Sequence, residues 1–353
     1  MDITVIVCTY NRSDSLAKTL DSIAKSILPE STSWEVLVVD NNSTDQTMAT
    51  IKSFCCRYPG RFRYLFEPRP GKSHALNAGI LGSQGAILAF TDDDITVEST
   101  WLERLTAPLC DSVWSGSGGP VILKWSCPRP RWLRMDMMAA PLVGFHPDRR
   151  AGEISEPLFG GNMAFRRAVF EKHGVFRTDL GPSPNHETPR PNEDTDFGRR
   201  VLAACDRLFY EPSAVVFHPV TASRLQKAYF LDWWFDKGRA DILTVGIPKD
   251  VRIIGGVPWR FIRRVIHWTA RWLFALEPSE RFSDRLKVQW LLGMIAECRH
   301  QSSKTAPSRI KIERSRPLQT PKDSVAVESD RHVPSSVKPE VPLRMEIERS
   351  GRA

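Results

Sequence analysis

Three consecutive carboxylates, Asp92-Asp93-Asp94, stand directly after the apolar run Ala86-Ile87-Leu88-Ala89-Phe90 and Thr91. A short continuous apolar run fits a strand buried on both faces, and the C-terminal end of such a strand in an open α/β sheet is where ligands bind. Three acids crowded at that edge repel one another unless something positive joins them, so the triplet reads as a divalent-cation site. The competing reading is a solvated turn with all three side chains in water.

The pattern around the triplet predicts the sheet. Ile3 to Cys8 is a β-branched run, and Ser13 to Ile27 is amphipathic with Leu16, Leu20, Ile23 and Ile27 on one face. A second strand, Trp34 to Val39, ends in Asp40 and a polar turn in which Ser43 and Gln46 have capping-box spacing for the next helix. A third strand (Arg63 to Phe66), a Pro/Gly loop, a helix (Ser73 to Gly82) and the strand Ala86 to Phe90 follow. Strands alternating with helices predict a doubly wound α/β fold with a mostly parallel sheet and helices on both faces. Right-handed crossovers then bring Thr9, Asp40 and the Asp92 cluster to one edge.

Further on, Gly118 to Leu123 is a candidate strand and Ser126 to Arg150 an irregular insertion. Gly160-Gly161 marks a close approach of backbone, Arg167 to His173 a helix, and Thr178 to Pro191 a proline-rich loop. Asn192 reads as the N-cap of a helix reaching about Cys205, with Glu193 and Asp194 in its first turn. Strand-like Leu208 to Tyr210 and Ala214 to Phe217 come next, the latter ending at His218. Aromatic helical segments (Leu225 to Ala240, Pro258 to Leu276) follow, and residues 301–353 have a composition that predicts a disordered tail.

Several functions are excluded by what the motifs lack. Gly71-Lys72-Ser73 has Phe66 where a phosphate-binding P-loop needs its first glycine, and Gly116 to Gly119 lacks the spacing of a dinucleotide fingerprint. The seven cysteines form no C-x-x-C pair, which predicts free thiols. The net charge of +8 divides unevenly: residues 1–220 carry 24 Lys/Arg against 26 Asp/Glu, and the remaining 25 against 15 give the C-terminal third +10. No base-reading module accompanies that charge, so no nucleic-acid partner is expected and an anionic membrane surface suits it better. No run reaches the length of a membrane span, and Met1-Asp2-Ile3 carries no basic leader, so the expected location is cytoplasmic, peripheral on the inner face of the membrane.

Six motifs now stand in order: Cys8-Thr9-Tyr10-Asn11-Arg12, Val38 to Asp45, Gly71 to Gly79, Phe90 to Asp94, Gly160 to Met163 and Asn192-Glu193-Asp194. Over about 200 residues this series resembles the family 2 glycosyltransferases of the GT-A fold. The resemblance implies a catalytic domain over residues 1–220, with a nucleotide-sugar half (about 1–95) and an acceptor half (about 96–220), followed by a helical extension (221–300). It implies a nucleoside-diphosphate sugar donor such as a UDP-sugar, a Mn²⁺ or Mg²⁺ ion, and inverting transfer of a hexosyl or N-acetylhexosaminyl group to a glycan or lipid-linked acceptor. Carried over residue by residue, Asp94 becomes the main metal ligand, with Asp92 and His218 as further contacts, and Asp93 receives no role. Thr9, Tyr10, Asn11, Arg12, Asp40, Lys72, Asn77, Asp92, Gly161 and Asn162 fall to nucleotide-sugar binding, with Arg69 a further candidate. Asp194 becomes the general base, with Glu193 beside it.

The residues themselves keep other readings open. Asp40 is equally suited to capping the turn that follows it, Glu193 and Asp194 to complementing a helix dipole, and His218 to a structural hydrogen bond. A sugar-phosphate nucleotidyltransferase would use a similar sheet and metal but would need a glycine-rich loop where Thr9 to Arg12 stands. A non-catalytic sugar-nucleotide-binding protein would be expected to have lost one of the acidic motifs. In Trp259 to Leu276, Arg260, Arg263, Arg264, His267 and Arg271 fall on one helical stripe among apolar residues, the pattern of a helix lying in a membrane interface.

Overall fold

The N-terminal strands run side by side because each is a β-branched run flanked by an amphipathic helix that covers it. In the computed structural model, which describes residues 1–142, 149–183, 191–248 and 251–305, β1 (Ile3–Thr9), α1 (Ser13–Ala24), β2 (Trp34–Asp40), α2 (Thr47–Arg57), β3 (Phe62–Phe66), α3 (Lys72–Gly82) and β4 (Ile87–Asp92) alternate as the sequence pattern predicts. Leu16, Leu20 and Ile23 of α1 bury the stripe that packs against β1 and β2. Then come β5 (Thr96–Val97), α4 (Trp101–Thr106), β6 (Trp114–Gly118), β7 (Val121–Trp125), β8 (Gly152–Ile154), β9 (Met163–Arg166), α5 (Arg167–His173), α6 (Glu193–Ala203), β10 (Arg207–Tyr210) and β11 (Val216–Val220). The chain closes with α7 (Lys227–Val245), the hairpin β12 (Ile253–Ile254) and β13 (Val257–Pro258), α8 (Trp259–Phe274) and α9 (Pro278–Thr305).

Eight strands form the main sheet in the order β3-β2-β1-β4-β9-β6-β10-β8. The pairs β1–β2, β1–β4, β2–β3 and β6–β10 are parallel, whereas β9 runs antiparallel between β4 and β6 and β8 antiparallel along β10. The sheet is therefore mixed, with its parallel character concentrated in the first four strands. Register places Thr9 opposite Asp40 and Cys8 opposite Asp92, so the first, second and fourth strands end together at one edge. Antiparallel β9 brings the Gly160-Gly161 turn that precedes it to the same edge, with Met163 paired to Phe90.

Several boundaries differ from expectation. Asp45, not Ser43, satisfies the start of α2: its Oδ1 accepts the Thr47 N–H at 2.9 Å, while the Ser43 hydroxyl accepts the Asn11 N–H. The candidate strand Gly118 to Leu123 straddles the gap between β6 and β7, which lie in different sheets. His218 lies in the middle of β11, paired opposite Leu123, rather than after a strand. Asn192 does occupy the N-cap position of α6, but its backbone is left-handed (φ 103°) and its amide donates to Asp241 of α7 instead of capping the helix.

The expected boundary at residue 220 does not separate packing units, since residues Met1–Pro307 form one unit. Leu133, Met138, Ala139 and Leu142 of the irregular insertion bury themselves with Val220, Phe230, Trp234, Phe282 and Leu286, so the insertion and the C-terminal helices share a core. Helix α9 also continues past residue 301 to Thr305, and the expected tail from 306 onward lies outside the described residues. All seven cysteines are free thiols.

Candidate active site

The edge defined by Thr9, Asp40 and Asp92 is built by backbone geometry before any ligand is considered. Asp40 is buried; its Oδ1 accepts the Ser43 N–H at 2.9 Å and its Oδ2 the Tyr64 hydroxyl at 3.3 Å. Asn11, at φ 51°, accepts the Thr44 N–H at 2.7 Å and so ties the loop after β1 to the loop after β2. Thr9 is buried at the end of β1, and Tyr10 beyond it is exposed at the mouth. Asn41, which the sequence did not single out, spans to the next loop: its amide donates to the carbonyls of Glu67 and Arg69 and accepts the Gly71 N–H at 2.7 Å. Arg69 forms a two-pronged ion pair with Glu67, which engages its guanidinium.

The aspartate cluster splits into two corners. At the first, Lys72 Nζ lies 2.8 Å from Asp92 Oδ1 and 3.5 Å from Glu193 Oε1. Burial works against the charge of Lys72, but Asp92 and Glu193 outweigh it and raise its pKa. Burial pushes Glu193 up to about 7 against the pull of Lys72, with Asp194 adding to the rise. At the second corner Asp94 Oδ2 meets Arg12 at 2.9 Å, Arg224 at 2.6 Å and His218 Nε2 at 3.8 Å. Burial opposes ionisation of Asp94, yet the approach of His218 and the charges of Arg224 and Arg12 hold it well below the usual carboxylate range. Asp93, between the corners, is buried and paired with Arg12 at 3.0 Å, and burial pushes it up to about 6.

The Gly160-Gly161 turn lies between Asp92 and Asp194. A methyl group on Gly161 would come within 3.1 Å of Asp92 Oδ2 and 2.7 Å of Ile95, and one on Gly160 within 3.1 Å of Asp194 Oδ2. A side chain at Gly161 would push Ile95 aside, and one at Gly160 would need the Asp194 carboxylate to give by a few tenths of an ångström. The Gly160 N–H donates to Asp194 Oδ2 at 2.9 Å, and the Thr195 N–H and hydroxyl donate to Oδ1 at 2.6 and 3.2 Å, so the carboxylate is held in orientation and Oδ2 keeps a further lone pair.

Two residues expected at the nucleotide sugar are committed elsewhere. The Asn162 amide is fully buried, accepting from Trp101 Nε1 at 2.8 Å and donating to the carbonyls of Pro120 and Ala214. Asn77 exchanges both hydrogen bonds with the Phe176 backbone, at 2.8 and 3.0 Å. Both hold the frame. Arg224 is the residue that sequence reasoning missed; its only signal was its place six residues after His218 in the basic third.

The expected metal triad of Asp94, Asp92 and His218 does not assemble, because Asp92 is turned to Lys72; among the described residues no three His, Cys, Asp or Glu gather as a metal-binding group. Asp94 and His218 alone fit a cation. The 3.8 Å separation of Asp94 Oδ2 and His218 Nε2 is within the span of two metal–ligand bonds of ~2.1 Å, and the Arg224 guanidinium, which donates to His218 Nε2 and pairs with Asp94, stands where a cation would sit. Five carboxylates (Asp92, Asp93, Asp94, Glu193, Asp194) face three cations (Lys72, Arg12, Arg224), and when all are ionised 5 − 3 leaves two negative charges for a divalent ion to balance.

A mixed sheet with an acidic edge of this kind is the architecture of a GT-A glycosyltransferase. The mannosyltransferase PcManGT from Pyrobaculum calidifontis, solved in complex with GDP-Man and Mn²⁺, superimposes with a TM-score of 0.50 at 20% identity, over 86% of this chain and 75% of that one. Residues 4–174 match the profile of Glycosyl transferase family 2. The succinoglycan biosynthesis protein ExoM of Rhizobium meliloti is 30% identical over 239 residues, covering 68% of this chain and 74% of its own length. A glucosyl-dolichyl phosphate glucuronosyltransferase of Haloferax volcanii is 28% identical over 217 residues, covering 57% and 66%. The chain belongs to family 2 of the glycosyltransferases.

Proposed function

We propose that this glycosyltransferase takes a hexosyl or N-acetylhexosaminyl group from a UDP-sugar and passes it with inversion to a hydroxyl of a glycan or lipid-linked acceptor in polysaccharide or glycoconjugate assembly. The observation that carries the reading is the Gly160-Gly161 turn, which sets Asp194 and Asp92 on either side of one narrow passage. A sugar lying along that turn would have the donor phosphates toward Asp92, Lys72 and Asp94 and the acceptor toward Asp194.

In this reading Tyr10 and Asp40 flank the base, and Lys72 and Arg12 face the diphosphate. Asp94 and His218 would hold a Mn²⁺ or Mg²⁺ ion, which would supply charge neutralisation for the leaving group. Arg12 and Arg224 hold Asp94 in its place and would turn to the phosphates as the donor enters. Asp194 takes the proton of the acceptor hydroxyl as that oxygen bonds to the anomeric carbon. The bond from that carbon to the phosphate oxygen breaks, and the nucleoside diphosphate leaves with the electron pair. Sugar transfer is favoured over nucleotidyl transfer by family membership. The solved mannosyltransferase with GDP-Man and Mn²⁺ and the dolichyl-phosphate-directed relative support a metal and a lipid-linked acceptor.

Membrane association fits the same reading. Among the described residues no helix is long and apolar enough to cross a bilayer. Helix α8 packs on α9 through Phe261, Ile262, Val265 and Trp268, yet leaves Trp259, Ile266 and Leu273, spaced by seven, exposed on its outer face. Arg260 and Arg263 stay exposed there, while Arg271 turns back to Asp284 and Arg264 lies over Trp290. The test of the chemistry is donor hydrolysis and transfer with Mn²⁺ and a panel of nucleotide sugars. Turnover of UDP-sugars and inversion at the anomeric carbon are expected; retention, or turnover only of other nucleotides, would overturn the corresponding part.

A further inference from the structure

Three helix ends meet in the C-terminal part of the chain. The start of α7, the end of α8 and the first turns of α9 surround an open pocket of about 390 Å³ walled by Lys227, Arg281, Arg285, Trp272, Leu276 and Phe282. We propose that this pocket binds the phosphate headgroup of a membrane lipid and so seats the donor site at the bilayer surface.

The argument starts from charge. Three cations converge on one cavity, and none has a carboxylate partner among the described residues. The nearby acids are spent elsewhere: Glu280 pairs with Arg134, Asp284 with Arg271 and Lys287, and Glu277 accepts from Ser279. The cations are held against aromatic rings instead, Arg285 at 5.3 Å from Trp272 and Lys227 at 5.5 Å from Phe282, which orders them without neutralising them. A phosphate diester, with its single compact charge and several acceptor oxygens, is the ligand such a set recognises.

The apolar rim says what carries the phosphate. Leu276, which lines the pocket, is 98% exposed, and Phe274 and Leu273 beside it are 82% and 57% exposed. A soluble phosphate makes no use of that rim, whereas an acyl chain covers it. Position supplies the purpose: Lys227 follows Arg224 by three residues, at most ~11 Å of chain, and Arg224 holds Asp94 at 2.6 Å. A lipid phosphate held by Lys227 is therefore linked to the Asp94 corner through three residues of chain. This deepens the lipid-linked acceptor reading, on which its biological purpose rests, but its chemistry is separate.

The experiment uses the full chain in two arms. In the first, calorimetry follows binding of a short-chain, water-soluble phosphatidylglycerol and of inorganic phosphate. The lipid is expected to bind saturably and inorganic phosphate at least ten-fold more weakly. The variant Lys227→Gln/Arg281→Gln/Arg285→Gln should lose at least ten-fold in lipid affinity, while a charge-matched control, Lys52→Gln/Arg104→Gln/Arg129→Gln, keeps wild-type affinity; thermal unfolding confirms that both fold. Equal lipid affinity in the pocket variant, equal loss in the control, or equal affinity for inorganic phosphate would overturn the proposal. In the second arm, flotation with phosphatidylcholine vesicles with and without phosphatidylglycerol tests the membrane reading itself. Flotation without soluble-lipid binding keeps that reading and overturns the pocket, whereas soluble-lipid binding without flotation keeps the pocket and overturns the reading.

Discussion

Asp92 and Asp94 stand two residues apart and yet belong to different machines. Asp92 ends β4 and is drawn into the sheet side, where half-buried Lys72 bridges it to Glu193. Asp94 lies in the turn beyond, where Arg12 from the loop after β1 and Arg224 from the approach to α7 close on it beside His218. One corner is made of a single half-buried lysine shared by two acids, the other of two guanidiniums sharing one acid. The difference teaches that a D-x-D spacing does not by itself produce one ligand set. The first corner joins an acid of β4 to one of α6, and the second gathers two arginines and a histidine around one acid.

The strongest break is expected at the acid that faces the first corner from across the turn. Asp194→Asn should lower transfer by ~10² to 10⁴, the usual contribution of a positioned general base, with UDP affinity unchanged. Initial rates together with calorimetry check it; wild-type transfer would assign the base to another residue.

A stability prediction tests the frame that both corners share. Asn162→Ala removes three buried hydrogen bonds linking Trp101, β9 and the Pro120 and Ala214 carbonyls; the Trp101 indole N–H and the Ala214 carbonyl lose this partner, while the Pro120 carbonyl keeps the Val216 N–H. A loss of ~2 to 4 kcal/mol in denaturant unfolding is expected, since each orphaned buried group costs ~1 to 3 kcal/mol and relaxation recovers part of it. A loss confined to donor binding, with stability intact, would return Asn162 to the nucleotide-sugar site.

Separating Asp92 from Asp94 sharpens the comparison directly. Asp94→Asn should weaken Mn²⁺-dependent UDP binding ~10-fold and leave metal-free binding alone, whereas Asp92→Asn should change the two equally, because its partner is Lys72. Calorimetry with and without Mn²⁺ reads the difference, and the same metal dependence in both variants would merge the two corners into one.

A last prediction concerns pH dependence. Glu193 has its pKa raised from 4.5 to about 7 by burial, so the folded state holds a proton that the unfolded chain has released. Its favourable contribution is complete below pH about 4.5 and is lost as pH rises to about 7. The slope is at most ~1.4 kcal/mol per pH unit for one proton. Glu193→Gln should flatten unfolding free energy across that window; an unchanged slope would mean that Lys72 keeps Glu193 ionised throughout.

Much of this architecture was legible in the chain. The alternation of β-branched runs with the Leu16-Leu20-Ile23 stripe and its successors located the first four strands to within one or two residues. Parallel crossovers then required Thr9, Asp40 and Asp92 to meet. Those signals are local, carried by side-chain periodicity over a dozen residues, and a resemblance spread over six motifs placed the carboxylates in order. The antiparallel insertion of β9, the union of residues 126–142 with the C-terminal helices, and the capping by Asp45 were not legible, since each depends on which segments find one another.

The amino-acid sequence alone determined the family and the acidic edge, because they are a matter of residue type and order. Only the tertiary structure decided which cation each acid meets. Arg224 reaches Asp94 across 130 residues, Lys72 and not a metal group claims Asp92, and Asn162 and Asn77 spend their amides on backbone. Coulombic and hydrogen-bond partners are chosen by distance in space, and distance in space is settled by the packing of whole elements rather than by any short stretch of chain.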